Sequence, residues 1–364
     1  MKQNSFLKNL VFVTVVLAAV FAWYRYKGDP IPFVDQPEVQ VGEMEVTPVQ
    51  DPEAEEFTPT ETAKKLNTFT QVLNYQSGRA FDSYERYTSW VDLKKGPTGK
   101  ESSIYGLYEL YDPQYYADET DEAIEEGPSL PELETAVDSY RVSLTQLSEI
   151  AQKANRYYDH EDYLDDAMAE GKSMHQPLLQ AFSRYFAADK TLRELLLPLQ
   201  TGQIRKETLE YSEGEYNPRW HGLNTTLKAL DLIGSVRGYT TESVNRDTFA
   251  LKLDGFRTAL EAWERAYKAE GSADSWSQGC LTQYFEFLKS AKDMNRRMRD
   301  KVPFDESEKM WLRSPSTAHF VEGTPAKLYE QFQMVVSSYN SNPLNDRHVW
   351  LTEPTLPVPT VSPR

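Results

Sequence analysis

The sequence predicts an all-α fold, a bundle of about six or seven helices, preceded by an N-terminal transmembrane or signal helix and a disordered linker. Three observations lead to this prediction. Apolar residues in the body of the chain recur at spacings of three and four, which places them on one face of a helix. Alternating apolar and polar residues bounded by turns, the pattern of strands, are absent. An uncharged run near the N-terminus is separated from the body by a polar segment.

The composition limits the class of protein. The chain has 364 residues, of which 40% are hydrophobic and 12% aromatic, enough for a sizeable core in one large domain or two small ones. Its formal net charge of −17 argues against a nucleic-acid partner, because phosphate binding needs a basic surface. The single cysteine excludes an intramolecular disulfide framework and a cysteine-rich metal or iron–sulfur site.

The first predicted element is a signal anchor or signal peptide in residues 1–27. Residues 10–24 carry no charge and have basic residues on both sides. This run is short of the roughly 20 residues that span a bilayer, but residues 6–24 can contact the membrane if the Lys8 amine reaches the interface. Two alternatives stay open, an uncleaved anchor or a signal peptide cleaved near Ala22. A buried helix of the domain is a third, which the isolation of the run disfavours.

Acidic and proline-rich segments flank the predicted domain. Residues 28–62 contain ten acidic and no basic residues and residues 1–27 four basic ones, which leaves a net charge of −11 for the rest. Such a composition cannot bury enough apolar surface to offset chain entropy, so we expect residues 28–60 to form an extended tether. Five prolines occur in residues 342–364, which we expect to be disordered or polyproline II-like. The helical domain is expected to span residues 61–341.

Apolar stripes predict the helices of the domain in chain order. The first is expected near residues 61–92, and the second is opened by a capping box at residues 129–132. The second carries a strict 4-3-4-3 stripe of Leu133, Val137, Tyr140, Leu144, Leu147, Ala151, Ala154 and Tyr158. A helix near 162–210 contains Pro177 and Pro198, which are expected to kink or split it. The others are expected near 219–236, from Phe249 to a stop at Gly271, near 275–302, and from Thr324 onward.

Possible metal ligands cluster at the start of the third predicted helix. The candidate ligands are Asp162, Asp165, Asp166 and His175, and Lys172 lies among them as a further candidate for binding a ligand other than a metal ion. On one helix Asp165 and Lys172 lie about 20° apart, so the lysine competes with a metal ion for the carboxylate. An acidic helix N-terminus explains the same carboxylates through the helix dipole. A metal-dependent enzyme or metal-binding protein is therefore the alternative function, and the main expectation is no bound metal and no cofactor.

Two basic segments offer candidate anion contacts. Lys94 and Lys95 belong to a turn-rich loop, residues 94–101, whose backbone amides can hold an anion, although such loops more often simply reverse the chain. Arg299 lies at a basic helix end. Interaction with the helix dipole, or pairing with the acidic residues 118–126, explains that arginine without a ligand.

Two further features are expected to serve packing. Gly171 and Lys172 resemble the end of a P-loop, but the glycine required five residues earlier is Asp166, so we expect Gly171 to lie at a close helix–helix contact. A cluster of tyrosines comprises Tyr105, Tyr108, Tyr111, Tyr115 and Tyr116. Aromatic side chains suit carbohydrate or peptide surfaces, but core or rim packing is the expectation for these tyrosines.

Several of these segments together resemble the YiiG-like family of bacterial envelope proteins, a domain of unknown function whose members are often described as lipoproteins. The resemblance rests on residues 94–101 with 105–109, on 157–176 and on 296–303, in this order. It covers roughly residues 66–340. It implies a helical domain that is exported and held at the envelope. The family has no established activity, so the resemblance transfers no catalytic residue.

The resemblance fails at the N-terminus, where lipoprotein members have a lipobox cysteine and this chain has none. The mode of anchoring is therefore open, while export is still implied. The expected function is that of a bacterial inner-membrane protein with a periplasm-facing domain, or of a soluble periplasmic protein after cleavage near Ala22. We expect a binding or structural role, with an envelope protein or polymer as partner, rather than catalysis.

Overall fold

The computed structural model describes residues 59–211, 217–236, 241–270, 275–341 and 349–354, which form helices, turns and irregular segments without any strand. The helices are α1 (Pro59–Thr88), α2 (Ala117–Glu126), α3 (Pro131–Asp159), α4 (Ala169–Glu210), α5 (Pro218–Ile233), α6 (Arg246–Glu270), α7 (Ser275–Asp300), α8 (Glu306–Trp311), α9 (Pro315–Ala318) and α10 (Pro325–Asn340). The all-α prediction is confirmed for this part of the chain.

The predicted membrane segment, residues 6–24, lies outside the described ranges, as does nearly all of the linker. Within those ranges, no helix combines the length and the apolar character needed to cross a membrane. Some of the predicted helix boundaries are confirmed and others are shifted. Thr324 caps α10 as expected, whereas α1 ends at Thr88 and α4 begins only at Ala169.

Two hydrophobic cores divide the helices between them. The first is formed by α1, α2, α3 and the larger part of α4, and all eight residues of the stripe predicted in α3 are buried in it. The second is formed by the end of α4 with α5, α6, α7 and α10. The stripe that begins at Phe249 is buried in the second core as far as Trp263, and Tyr267 packs at its edge.

The two cores share α4, which is one helix of 42 residues and about 63 Å. The predicted split at Pro177 or Pro198 does not occur. Both prolines are exposed, so water can reach the carbonyl groups that lose a helical hydrogen bond. The opposite side of α4 is buried without a break from Gly171 to Glu207, and this burial holds the helix together past both prolines.

The start of α3 differs from the predicted capping box. The helix begins after Leu130, whose amide donates to the Glu134 carboxylate over 2.9 Å, so Ser129 is not the cap. Glu134 also accepts from Lys65 Nζ, and Lys65, only 1% exposed, donates in addition to the Pro128 carbonyl over 2.8 Å. Partial burial opposes ionisation of Glu134, but the hydrogen bonds from Leu130 and Lys65 outweigh it and lower its pKa.

Residues 349–354, here called the C-terminal strap, lie across both cores without regular secondary structure, in the tail for which the sequence predicts disorder or a polyproline II-like conformation. Val349 is buried in the first core and Leu351 in the second. The Glu353 amide donates to Asn74 Oδ1 on α1 over 2.9 Å, and the Leu351 amide donates to Asn340 Oδ1 on α10 over 2.7 Å. Asparagine side chains thus replace the secondary structure that the strap lacks, which satisfies its buried backbone.

A buried ion pair on α4 joins the strap to α1. Arg193 Nε donates to Asp189 Oδ2 over 2.7 Å, and the Ser77 hydroxyl of α1 donates to Asp189 Oδ1 over 2.6 Å. Another nitrogen of Arg193 donates to the Glu353 carbonyl of the strap. Burial disfavours the charged guanidinium, but Asp189 outweighs this and raises the pKa of Arg193. One ion pair therefore links three segments that are distant in sequence.

The strap is expected to be part of the cooperative fold. Leu351→Ala should lower the free energy of unfolding by about 3 kcal/mol, because it removes a fully buried side chain and leaves a cavity. Leu209→Ala, at an exposed position of α4, is the matched control and should change stability by less than about 0.5 kcal/mol. Urea unfolding of both variants measures the difference, and equal stabilities would show that the strap is not part of the core.

The Lys65–Glu134 pair is expected to make the free energy of unfolding depend on pH. Glu134→Gln should cost roughly 3 kcal/mol at neutral pH, because it leaves a buried ammonium without its counter-charge. The pKa of Glu134 is lowered by folding, so the stabilisation is complete above the unfolded-state pKa of about 4.3 and is lost as pH falls through the folded pKa. Urea unfolding from pH 7 to pH 3 should therefore show the variant and the wild type converging. The control is Glu132→Gln, which changes an exposed residue in the same helical turn. A difference in the free energy of unfolding between Glu134→Gln and the wild type that stays constant with pH would contradict this role of the pair.

Candidate functional site

The basic loop after α1 already satisfies its backbone amides with its own carboxylates. The amides of Lys94 and Lys95 both donate to Asp92 Oδ1 over 2.9 Å. The amides of residues 98–99 donate to the two oxygens of Glu101 over 2.6 and 2.8 Å. These carboxylates occupy the positions that an anionic ligand would take, so the geometry gives no support to the predicted anion contact.

His175 holds this loop against α4. Its Nδ1 lies 2.8 Å from the Tyr87 hydroxyl and its Nε2 lies 3.1 Å from the Leu93 carbonyl oxygen. Because a carbonyl oxygen can only accept, the network assigns a proton to Nε2. Gly96 sits directly on the imidazole with φ +73°, and a Cβ on it would lie 3.0 Å from His175 Cδ2. His175 is therefore a positioning residue for the loop.

The three candidate aspartates lie in the connection between α3 and α4, where Asp162 begins a short 3-10 helix (Asp162–Leu164), so the predicted geometry of one continuous α-helix does not apply. Asp162 and Asp165 are exposed. Asp166 Oδ1 accepts from the Tyr157 hydroxyl and Asp166 Oδ2 accepts from the Glu170 amide, each over 2.7 Å. The bond from the Glu170 amide is the main reason why the pKa of Asp166 is lowered. The carboxylate of Asp166 is thus used to start α4.

These placements leave the metal-dependent alternative without a ligand set. Both nitrogens of His175 and both oxygens of Asp166 are engaged with the protein. Throughout the described ranges, no group of three or more His, Cys, Asp or Glu side chains could hold a metal ion. Lys172 is exposed, and its Nζ lies 3.3 Å from the Ala167 carbonyl oxygen.

Arg299 lies apart from the other candidates, on α7. Its guanidinium pairs with the neighbouring Asp300 over 2.7 Å, whereas Asp121 of the acidic run pairs with Arg141. Gly171 is confirmed as a packing glycine, because a Cβ there would lie only 3.0 Å from the Tyr157 ring at the end of α3. The predicted site residues therefore fall into separate structural roles.

A surface that the sequence did not predict runs along α1. The irregular segment 104–112 lies on this helix, and its backbone carbonyls accept from side chains spaced at 3-4-3-4, four of them on α1 and the last, Trp90, two residues after its end. The donors are Gln76, Arg79, Ser83, Arg86 and Trp90. From the other side, Asn155 of α3 donates to the Leu107 carbonyl over 2.8 Å. Two helices thus clamp a segment that has no secondary structure of its own.

The clamped backbone turns leucines inward and tyrosines outward. Leu107 and Leu110 are buried, while four tyrosines are 36–59% exposed. These four define the tyrosine face, Tyr105, Tyr108, Tyr111 and Tyr115. The expectation was core or rim packing, and their partial exposure places these four rings at the rim and not in the core. The signal that could have revealed this is the placement of leucine between tyrosines in this short segment, combined with polar residues at helical spacing on α1.

Two arginines and one tyrosine of α1 pack against the rings of the tyrosine face and restrict their motion. The guanidinium groups of Arg79 and Arg86 each lie 4.5 Å from the centre of the Tyr108 ring. Tyr75 of α1 lies 5.0 Å from Tyr111 and 5.1 Å from Tyr115 between ring centres. Rings held in this way lose little conformational freedom on binding, so the face is suited to contact a partner by stacking and by hydrogen bonds from the tyrosine hydroxyls.

The positioning role of His175 predicts a local defect when it is removed. His175→Ala should lower the free energy of unfolding by about 1–3 kcal/mol, because Tyr87 and Leu93 lose a buried partner. Trypsin should cut the lysine-rich loop 94–101 faster than in the wild type. His160→Ala, exposed at the end of α3, is the control. Urea unfolding and timed tryptic digestion measure the two effects, and a variant as stable and as resistant as the control contradicts the role.

Comparisons with known proteins agree with the resemblance seen in the sequence. The chain is 22% identical over 324 residues to the "Uncharacterized protein YiiG" of Escherichia coli (strain K12), which covers 85% of this chain and 90% of that protein. No solved structure matches the chain. The family model described as "Protein of unknown function (DUF3829)" matches residues 60–341. The chain therefore belongs to this YiiG-like family of proteins of unknown function.

Proposed function

We propose that this chain is a membrane-tethered protein of the bacterial envelope, anchored in the inner membrane by residues 6–24, whose periplasm-facing helical domain has a binding or structural role. The observation that carries the binding role is the tyrosine face, because exposed and contiguous aromatic side chains are typical of interaction surfaces. The partner is an envelope protein or polymer.

The tether is supported by the order of segments in the sequence. An uncharged run, residues 10–24, is followed by the acidic and proline-rich residues 28–60. A spacer of this length reaches about 110 Å when fully extended, which is enough to present the domain well away from the bilayer. A soluble periplasmic protein, released by cleavage near Ala22, is the alternative within the same proposal.

Binding is favoured over catalysis by the state of the candidate reactive groups. His175 and Asp166 use their polar atoms to build the fold, and the amides of the basic loop are satisfied internally. The four side chains of the tyrosine face, in contrast, are 36–59% exposed. The chemistry of this face suits recognition of a surface or a polymer.

The proposal is tested by locating the full chain in Escherichia coli. The protein should sediment with membranes, and protease added to spheroplasts should digest its domain while intact cells protect it. N-terminal sequencing decides between a start at Met1 and a start after Ala22. Val15→Arg with Leu17→Arg should abolish membrane association and export, because each central arginine costs about 3 kcal/mol of insertion free energy. Val15→Leu with Leu17→Val is the matched control.

The outcomes separate the alternatives. A membrane-bound protein with an intact N-terminus supports the anchor, and a soluble periplasmic protein beginning after Ala22 supports cleavage. A wild-type chain that remains in the cytoplasm and resists protease in spheroplasts overturns the proposal.

A further inference from the structure

The net charge of residues 63–364 is concentrated beside the tyrosine face. Residues 101–140 contain twelve acidic residues and no lysine or arginine. Because residues 63–364 have a net charge of −11, the rest of that range has a net charge of +1. All four tyrosines of the face lie within residues 101–140. The part of the domain that exposes these rings is therefore also the part that attracts cations.

The helix α2, which begins two residues after Tyr115, exposes only carboxylates. Six of its ten residues are exposed, and all six are acidic. Among the described residues, one of the six pairs with a cation, since Asp121 binds Arg141 of α3 over 2.6 Å. The other five define the acidic face, Asp118, Glu119, Glu122, Glu125 and Glu126.

The charges of the acidic face do not help α2 to form. Glu122 lies four residues from both Asp118 and Glu126, and like charges at this spacing repel each other on a helix. Glu125 and Glu126 lie in the last turn, which contains no basic residue, although the helix dipole favours cations at that end. Folding alone thus gives no reason for carboxylates at these positions. A cation from outside the chain would relieve both effects.

The rings of the tyrosine face are suited to contact a cation next to these carboxylates. Within the chain, the guanidinium groups of Arg79 and Arg86 already lie against the Tyr108 ring. Tyr115, at 59%, is the most exposed of the four tyrosines, and stacking on Tyr75 restricts its ring. Tyr115 also lies only three residues before the first carboxylate of the acidic face. An exposed ring and a row of carboxylates therefore adjoin each other.

We infer that the tyrosine face and the acidic face together bind a basic segment of a partner protein. An arginine of that segment stacks its guanidinium on the Tyr115 ring, and neighbouring basic side chains pair with the carboxylates of α2. Arginine suits this surface better than lysine, because its planar guanidinium stacks on rings and binds a carboxylate through two parallel hydrogen bonds. The inference rests on the proposed binding role and names the partner as a protein with an arginine-rich segment.

The charge of the surface selects this partner over other classes. Nucleic acids and anionic lipid headgroups are repelled by a row of carboxylates. An uncharged polymer or a neutral proline-rich peptide can stack on tyrosines, but it leaves the acidic face without a counter-charge. A basic segment satisfies both parts of the surface, because cations are attracted to carboxylates and to the faces of aromatic rings.

Binding is tested with the full chain in micelles of an uncharged detergent. The probe is a fluorescent peptide of four Arg-Gly-Ser repeats, titrated by fluorescence anisotropy, and the comparison is the same peptide with lysine in place of arginine. The wild type should bind the arginine peptide about threefold more tightly than the lysine peptide. Both affinities should fall as the salt concentration is raised, because salt screens exposed charges.

Two pairs of substitutions separate the acidic face from the net charge of the chain. Glu122→Gln with Glu125→Gln should weaken binding of the arginine peptide about tenfold. The thermal unfolding midpoint of this variant should not fall, because the change removes repulsion within α2. Glu242→Gln with Glu322→Gln is the matched control, since both residues are exposed, lie outside this surface and change the net charge equally. The control should leave binding within about twofold of the wild type.

The contribution of the rings is tested at Tyr115. Tyr115→Leu should weaken binding of the arginine peptide about fivefold, because it removes the ring on which the guanidinium stacks. Tyr115→Phe keeps the ring and should bind as the wild type does. The side chain is exposed, so both variants are expected to fold, and thermal unfolding checks this.

Four results overturn the inference. They are no binding of the arginine peptide, equal weakening by the two pairs of substitutions, unchanged binding by Tyr115→Leu, and tighter binding of the uncharged peptide of residues 355–363 or of phosphatidylglycerol vesicles than of the arginine peptide. Failure here is distinct from failure of the proposed function. A chain located in the envelope that binds no basic peptide overturns only the basic partner, whereas a cytoplasmic chain overturns the envelope function itself.

Discussion

The sharing of one helix by two cores is the constraint on which the rest of the structure depends. Because α4 runs continuously from Ala169 to Glu210, its buried side must remain in register with two different sets of partners. The Asp189–Arg193 pair adds a second requirement, since buried charges are tolerated only when their hydrogen bonds are complete. Those bonds come from Ser77 on α1 and from the Glu353 carbonyl on the strap. The hydrogen bonds of this ion pair, which lies in the first core, are therefore complete only when the strap lies in place across the second core.

The helices and their buried sides follow from local sequence, whereas the contacts that close the fold do not. The 4-3-4-3 stripe of α3 and the cap at Thr324 depend on neighbours within a few residues, and both could be predicted. The very polar α2 shows no apolar stripe, and it forms against α1. The strap is ordered by Asn74, which lies 279 residues away from Glu353 in the chain. No local sequence pattern can predict a contact partner that lies so far away along the chain.

The candidate site illustrates the same limit in its chemistry. The segment that contains Asp166 and His175 is rich in ligand types, but Asp166 accepts from the Glu170 amide at the start of α4, and His175 contacts groups that only the folded chain brings near it. His175 contacts the carbonyl oxygen of Leu93, which lies 82 residues away in the chain. The Glu101 carboxylate accepts a hydrogen bond from a backbone amide of its own loop. A cluster of functional groups in sequence is therefore weak evidence for a site until their hydrogen-bond partners are known. The assignment of Gly171 to packing succeeded because it required only a close approach between consecutive helices.

The tyrosine face carries more weight than the clusters because each of its four side chains stays at least 36% exposed. The path of segment 104–112 is fixed by side chains of α1 acting on its backbone carbonyls, and by the burial of Leu107 and Leu110. The outward positions are thus free to hold any polar residue that water would solvate well. Tyrosines there expose apolar surface to water, which offers no advantage to an isolated domain. Rings that are held in place by Arg79 and Arg86 and yet stay partly exposed are therefore the feature that best supports the proposed binding role.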